Sequence, residues 1–395
     1  MPSILKLPDL WRVIREMDLE SIRRDAEGRF RILVLAPARA EADAAAILLT
    51  GDETPHPWLE AATPDDLDPA GSDLVTLTAA LIVGGAADLT PGLTLAADRL
   101  RKAHVPIVTV VHGSARAVDG VVQPKDPMVA VVQPKNPMVA VVQPKNPMVA
   151  VVQPPSSLVA VVQPPTPLVA VVQPPTPLVA AARSGEAART VVAALDPPGL
   201  EKIAHALVGA VAPSARLALA RQLPPLRAAV FDLLIDETAK ANATYAFTAA
   251  MAEAVPVLDV PLNVADILIL TKNQLLMGYK IALGAGKSGR ARDVIGEIIG
   301  VVGGGFLFRQ AARQLIGLIP VAGLIPKVAI AYTGTWAIGR AVVVWATQGR
   351  RLSPSALGRF SRDAAGRGRD FARELLFARR ERRRLAAGGG PAKAR

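Results

Sequence analysis

The sequence predicts two domains: an α/β N-terminal domain built on a parallel sheet, and an all-α C-terminal domain containing an apolar helical hairpin. Near-continuous apolar runs at 29–37 and 105–112, separated by helical stretches, are typical of strands buried in a parallel sheet. From residue 183 onward the pattern is almost entirely helical. The 395 residues suffice for two cores, and a hydrophobic fraction of 51% is high for a soluble protein.

The first segment, residues 1–28, predicts an N-terminal amphipathic helix. Apolar side chains recur at helical spacing between residues 8 and 25, including Leu10, Val13, Ile14 and Met17. We expect this face to pack on the domain that follows. Charges occur throughout the segment, which lacks the pattern of a secretory signal, so the first domain is expected in the cytoplasm.

Residues 29–120 predict the α/β domain. The strand at 29–37 precedes an Ala-rich helix at 40–49, and a loop rich in Asp, Pro and Thr follows. Apolar runs at 74–77 and 81–83, a helix at 93–103 and the strand at 105–112 complete the alternation. Strands that alternate with helices indicate a parallel sheet.

The loop after the first strand lies where a nucleotide-binding domain of this class carries its phosphate loop. Such a loop needs glycines, so that backbone N–H groups can approach the phosphates, followed by a Lys and a Ser or Thr. Here the corresponding positions include Ala36, Glu41, Ala42 and Asp43. Because the two carboxylates repel phosphate, the sequence predicts a degenerate P-loop-GTPase-like sheet that binds no nucleotide and needs no cofactor.

Residues 121–180 are six consecutive copies of a decapeptide, from VVQPKDPMVA to VVQPPTPLVA. Each copy joins a β-prone run to a Pro-containing connector, which fits either short strands with turns or an extended spacer. We interpret the repeats as an insertion in an exposed loop of the first domain. A binding surface displayed by the repeats is the alternative.

Residues 183–349 predict a helical domain, beginning with helices at 184–195, 198–211, 214–222 and 226–254. Its apolar helices contain polar residues that are expensive to bury without partners, so we expect hydrogen bonds that join helices rather than a catalytic site. These residues are Asn242, Asn263, Asp266, Lys272 and Asn273. The four histidines of the chain are scattered, which argues against a metal site.

Residues 294–346 form the most apolar part of the chain and predict a membrane-seeking hairpin. Gly296, Gly300 and Gly304 recur at the four-residue spacing that allows helices to pack closely in lipid. The second arm, 328–346, approaches the roughly 20 residues of a membrane span, but it contains Arg340. We therefore expect a hairpin lying in or against one leaflet; a soluble helical bundle with a very apolar core is the alternative.

The last segment, residues 350–395, is a basic tail with 14 Lys or Arg against 4 Asp or Glu, within a chain of net charge +11. It directly follows the apolar segment, as do basic clusters that meet anionic lipid beside a membrane. The lipid-facing residues are expected to be Arg379, Arg380, Arg382, Arg383 and Arg384. A solvated, partly disordered tail is the alternative.

The stretch from about 226 to 349, including VPVLDVPLNVADILILTKNQLLMGYKIAL and IPVAGLIPKVAIAYTGTWAIGRA, resembles the YcjF-type domain of unknown function. That family is a helical module associated with the inner membrane and often attached to GTPases. The residues that carry the match are Pro320, Gly323, Thr335, Ala337, Ile338 and Gly339. Among them, Pro320, Gly323 and Gly339 join the three spaced glycines as expected helix-packing positions. The upstream WRVIREMDLESIRRDAEGRFRILVLAP is similar to the GTPase domain that precedes this module in some relatives.

Together these observations predict a non-catalytic protein at the cytoplasmic face of the inner membrane. The degenerate GTPase-like domain would contact other proteins, and the helical domain would attach to anionic lipid headgroups. Candidate protein partners are a GTPase or a second copy of the chain, and no nucleic acid is expected. The alternatives are a soluble adaptor that partners an active GTPase, and an atypical GTPase.

Overall fold

The chain divides into an α/β unit, formed by residues of 31–48 and 54–210, and a helical unit, formed by residues of 1–30, 49–53 and 211–395. These units are seen in a computed structural model. It describes residues 14–15, 17–67, 74–85, 91–112, 131–132, 151–152, 160–162, 168–170, 188–253, 264–302 and 324–388.

The α/β unit is built on a five-stranded, all-parallel sheet. Its strands are β1 (Ile32–Leu35), β2 (Leu59–Ala62), β3 (Ala79–Gly85), β4 (Ile107–His112) and β9 (Ala188–Val192), in the spatial order β2-β1-β3-β4-β9. Counting these five alone, the order is 2-1-3-4-5, one of the two common orders of doubly wound sheets. Such sheets bind ligands outside the carboxyl ends of their strands, at the point where the strand order reverses, which here lies between β1 and β3.

Helices cover the sheet of the α/β unit. α2 (Arg39–Thr50) follows β1, α3 (Pro91–Lys102) follows β3, and α4 (Pro197–Ala210) packs on β3, β4 and β9. One core cluster joins Leu33 and Ile82 of the sheet to Leu93 and Leu100 of α3. The central strands are buried along almost their whole length, which accounts for their uninterrupted apolar sequences.

The fifth strand, β9, differs from the sequence prediction of a helix at 184–195. Thr190, Val191 and Val192 are β-branched, and they pair in parallel with Thr109, Val110 and Val111 of β4. This tertiary pairing outweighs the helical tendency of the Ala-rich flanks. The α/β unit consequently extends to residue 210, beyond the boundary at 183 that the sequence indicated.

Within the decapeptide repeats the structure describes four short strands. β5 (Val131–Val132) pairs in parallel with β6 (Val151–Val152), and β7 (Ala160–Val162) pairs in antiparallel with β8 (Leu168–Ala170). Equivalent valines of the second and fourth repeats face each other in the first ladder. Both ladders agree with the interpretation of the repeats as short strands and not with an extended spacer.

Seven helices form the described part of the helical unit. They are α1 (Leu19–Glu27), α5 (Pro213–Gln222), α6 (Arg227–Glu253), α7 (Val264–Gly284), α8 (Ala291–Val302), α9 (Leu324–Gln348) and α10 (Pro354–Gly388). α9 is central, because it packs on α6, α7, α8 and α10. Its buried side chains include Val328, Trp336 and Val342.

The N-terminal helix α1 belongs to this helical unit. It packs on α5 and α7, and the side-chain amide of Gln222 donates a hydrogen bond to the carbonyl of Gly28 at 3.1 Å. Arg23 Nη2 donates to the carbonyl of Gly289 at 2.6 Å. The N-terminal helix therefore packs within the helical unit, and Leu10 and Val13 of the predicted amphipathic helix lie outside the described residues.

Candidate functional site

The carboxyl edge of the sheet is bridged by a contact between a carboxylate and an imidazole. Glu41 lies in the first turn of α2, and its Oε1 contacts Nε2 of His112, the last residue of β4. Because β3 lies between β1 and β4, this contact passes across the end of β3, where Gly85 is the register partner of His112. The Glu41 carboxylate thus occupies the helix N-terminus, which in related architectures attracts a phosphate.

The neighbouring charges at this edge are only partly paired. Arg39 pairs with Asp43 at 3.2 Å and lies 3.7 Å from Asp66. The backbone N–H and hydroxyl of Thr63 donate to Asp66 at 2.8 and 2.9 Å, and these bonds hold the pKa of Asp66 below its usual value. The described part of the edge therefore presents three carboxylates against one guanidinium, an arrangement that repels phosphate.

The two alanines of the degenerate loop serve the core. Ala36 and Ala42 are fully buried, and the Ala36 N–H donates to the carbonyl of Ala62 at 3.3 Å. Among the described residues no group of three His, Asp or Glu side chains could hold a metal ion.

In the helical unit, one helix of the described part of the chain is long and apolar enough to cross a membrane. It covers Lys327–Gln348 within α9, and 61% of its most apolar window is buried by neighbouring helices. A core helix of a soluble bundle meets the same criterion. The arginine in this segment has partners, since Arg340 Nη1 lies 2.8 Å from an Asp232 carboxylate oxygen and its guanidinium lies over Trp336 at 4.9 Å.

A buried hydrogen-bond network joins α6, α7 and α9. Asn242 Nδ2 donates to Thr335 Oγ1 at 2.9 Å, and Asn273 Nδ2 donates to Asn242 Oδ1 at 2.8 Å. Gln274 Nε2 also donates to Thr335 Oγ1 at 3.1 Å. The prediction of hydrogen bonds between helices is confirmed for Asn242 and Asn273. These bonds join three helices of the bundle.

The expected helix-packing residues have different environments. A Cβ built on Gly339 would lie 2.6 Å from Cγ1 of Ile235, so α9 and α6 approach closely at this glycine. Around Gly296 and Gly300 no atom of the described chain lies within 4 Å of such a Cβ. Gly304, Pro320 and Gly323, together with the hairpin tip expected between the two arms, lie outside the described residues.

The basic tail forms a helix, α10, whose inner face packs on α9. Ala364 and Ala372 are buried, and the ring of Phe371 lies 6.2 Å from that of Tyr332. The guanidinium of Arg367 lies 4.2 Å from the centre of the Trp336 ring. Residues 354–388 are therefore an integral part of the bundle, which differs from the alternative of a partly disordered tail.

The exposed side chains in the last turns of α10 include an aromatic ring and several arginines. Phe377 is 67% exposed, and Arg380, Arg382 and Arg384 are exposed. We call these four residues the outer cluster. Arg379 instead contacts the Met251 sulfur, and the side chain of Arg383 lies outside the described residues.

Sequence reasoning selected the arginines of the outer cluster but missed Phe377. The available signal was its spacing, because Phe377 precedes Arg380 by three residues and Arg384 by seven, which places all three on one helix face.

A comparison with models of known protein families finds no match, and comparisons with curated proteins and with solved structures find no significant one.

Proposed function

We propose that this chain is a non-catalytic, membrane-associated protein whose helical unit attaches to anionic lipid at the cytoplasmic face of the inner membrane. The observation that carries the proposal is the outer cluster on α10, where an exposed aromatic ring lies among exposed arginines. Interfacial helices combine apolar and basic side chains in this way. The likeness to the YcjF-type domain supports the same location.

Attachment through the outer cluster agrees with the way the bundle buries α9. Its most apolar helix is covered by α6, α7, α8 and α10, and its arginine is paired within the protein. Exposing this helix to lipid would break those contacts, whereas binding through α10 leaves them intact. The proposal therefore assigns lipid binding to the basic helix and leaves the insertion of the hairpin as a separate question for the segment 303–323.

For the α/β unit we propose protein contacts in place of nucleotide hydrolysis, as in a degenerate GTPase-like domain. The support is the Glu41 carboxylate, which lies at the helix N-terminus where a phosphate would bind and pairs with His112. Calorimetric titration with GTP and magnesium tests this part. We expect no saturable heat at millimolar nucleotide, and a micromolar dissociation constant would favour an atypical GTPase.

The lipid-binding part is tested by flotation of the full chain with vesicles containing phosphatidylglycerol. Each basic residue near an anionic surface contributes about 1 kcal/mol. Replacing Arg380, Arg382 and Arg384 with Gln should therefore weaken binding by about 3 kcal/mol, on the order of 100-fold.

A matched control removes the same charge elsewhere on the same helix. Arg359, Arg362 and Arg369 are exposed on the first half of α10, so their triple change to Gln alters the net charge equally. We expect a much smaller loss for this control. An equal loss would mean that net charge alone drives binding, and a full chain that ignores vesicles in detergent-free buffer would refute the proposal.

The second candidate function, a soluble adaptor for an active GTPase, is favoured by one observation. The apolar window of α9 is mostly buried inside the bundle, so this helix needs no lipid to cover it. Under this alternative the chain stays monodisperse without detergent and does not float with vesicles.

A further inference from the structure

The basic helix α10 uses a single kind of basic side chain. Its 35 residues contain ten Arg and no Lys, whereas the rest of the chain contains 23 Arg and 12 Lys. Both side chains carry the same charge, but only the planar guanidinium presents paired N–H donors that match two oxygens of one phosphate. A helix selected only for positive charge would not need to exclude Lys.

Three arginines of α10 have partners within the described residues. Arg373 pairs with Asp370 at 3.0 Å, Arg367 lies over Trp336, and Arg379 contacts Met251. Arg380 and Arg384 are exposed, and neither has an ion-pair partner among the described residues. Arg359 and Arg362 share these two properties, but Arg380 and Arg384 also lie on one helix face with the exposed ring of Phe377. They are one helical turn apart, which places their Cβ atoms about 6 Å from each other.

We propose that Arg380 and Arg384 form a two-arginine clamp for the phosphate monoester headgroup of a lipid; this inference rests on the proposed membrane attachment. A monoester carries between one and two negative charges and three terminal oxygens, enough to accept bonds from both guanidinium groups. A phosphodiester headgroup has one charge and two such oxygens. Phe377 lies one turn before Arg380 on the same face and would enter the acyl boundary beneath the headgroup.

The neighbouring acid, Glu381, is exposed on the same turn and repels an anionic headgroup. Because this repulsion grows with the charge of the headgroup, it disfavours a monoester at least as much as a diester and cannot be the source of a preference for the monoester. The preference must come from the number of oxygens that the two guanidinium groups can bond at once. Charge-conserving substitutions separate these two effects.

The test compares flotation of the full chain with vesicles of phosphatidic acid and of phosphatidylglycerol, mixed with phosphatidylcholine to equal surface charge. We expect about tenfold tighter binding to phosphatidic acid, the size of one additional charge-assisted hydrogen bond. The double variant Arg380→Lys/Arg384→Lys should lose this preference and keep its binding to phosphatidylglycerol. The control variant Arg359→Lys/Arg362→Lys should keep both.

Four outcomes would overturn the clamp or its lipid source. Equal binding of the two lipids by the unmodified chain, or a preference that survives in the Arg380→Lys/Arg384→Lys variant, would reject the clamp and leave membrane attachment standing. Absence of binding to either vesicle would reject both proposals. Complete displacement by dissolved glycerol phosphate at the concentration of the lipid headgroup would identify a soluble monoester, not a lipid, as the ligand.

Discussion

Gly368 marks the point where α10 approaches the backbone of α9. A Cβ added there would lie 2.9 Å from the carbonyl oxygen of Ala329 and 3.2 Å from its Cα. Both are backbone atoms of a packed helix, so the two helices must move apart to accept Gly368→Ala. Overpacking of this kind costs about 1 to 3 kcal/mol.

The matched control, Gly366→Ala, changes the same residue type two positions earlier. A Cβ on Gly366 meets no described atom within 4 Å, so the substitution gains only the helix propensity of alanine, about 0.5 to 1 kcal/mol. Gly368→Ala gains the same propensity but loses more to the steric conflict. The two variants should therefore change the free energy of unfolding in opposite directions, with a difference of about 1 to 3 kcal/mol.

Urea denaturation followed by tryptophan fluorescence measures this difference. Trp336 is suited as a reporter, because it lies under Arg367 of α10 and is buried in the α9–α10 contact. In a unit of this size, the expected difference in the free energy of unfolding between the two variants corresponds to roughly 3 to 10 °C in melting temperature. Equal stabilisation by both substitutions would show that α10 does not pack on α9 in solution and would refute the described role of the basic helix.

Gly339→Ala should destabilise the helical unit by about 1 to 3 kcal/mol, because the added Cβ would meet Ile235. Gly334→Ala on the same helix adds its Cβ in open space and should be neutral or stabilising. Thermal denaturation followed by circular dichroism compares the two variants. Burial, reinforced by a hydrogen bond to a carboxylate, raises the pKa of Tyr332 above its usual value of 10. The unfolded chain then binds fewer protons than the folded one above about pH 10, so stability is lost as the pH rises past that value. Tyr332→Phe should remove this alkaline loss of stability while lowering stability at pH 8. Urea midpoints measured at pH 8 and pH 11 test this expectation, and a loss that persisted in the variant would contradict the assignment to Tyr332. Excision of residues 121–180 leaves 15 residues between β4 and β9, which is enough for a parallel crossover. The shorter loop should raise the free energy of unfolding by about 1 kcal/mol. A product that is unfolded by circular dichroism would show that the repeats are needed for the sheet.

The elements that the sequence could predict are those whose burial is uniform. β1 and β4 are apolar at nearly every position because both faces of the sheet are covered, so their sequences identify them without tertiary information. β2, with the sequence LEAA, is an edge strand with an exposed Glu60. Its sequence alone predicts part of a loop. Its strand conformation depends on pairing with Ile32–Leu35, which no local pattern reveals.

The candidate site was only partly predictable for a related reason. The arginines of α10 are visible as charge, but high charge also describes a solvated tail, so the packed inner face was missed. The overlooked signal was the four-residue recurrence of Ala364, Gly368 and Ala372, all small and all buried against α9. The contact between Glu41 and His112 could not be predicted either, since it depends on the spatial order of β1, β3 and β4.

The last strand of the sheet is made late during synthesis. β4 ends at residue 112 and β9 begins at residue 188, so 75 residues, 113 to 187, must be translated between them. At about 5 to 20 residues per second a ribosome needs roughly 4 to 15 seconds for this segment. During that interval the outer edge of β4 lacks its native neighbour, while six Val-Val pairs of the repeats emerge beside it. Each pair is followed two residues later by a proline, which cannot donate to a ladder, and these prolines limit the competing pairing until Ala188–Val192 arrives.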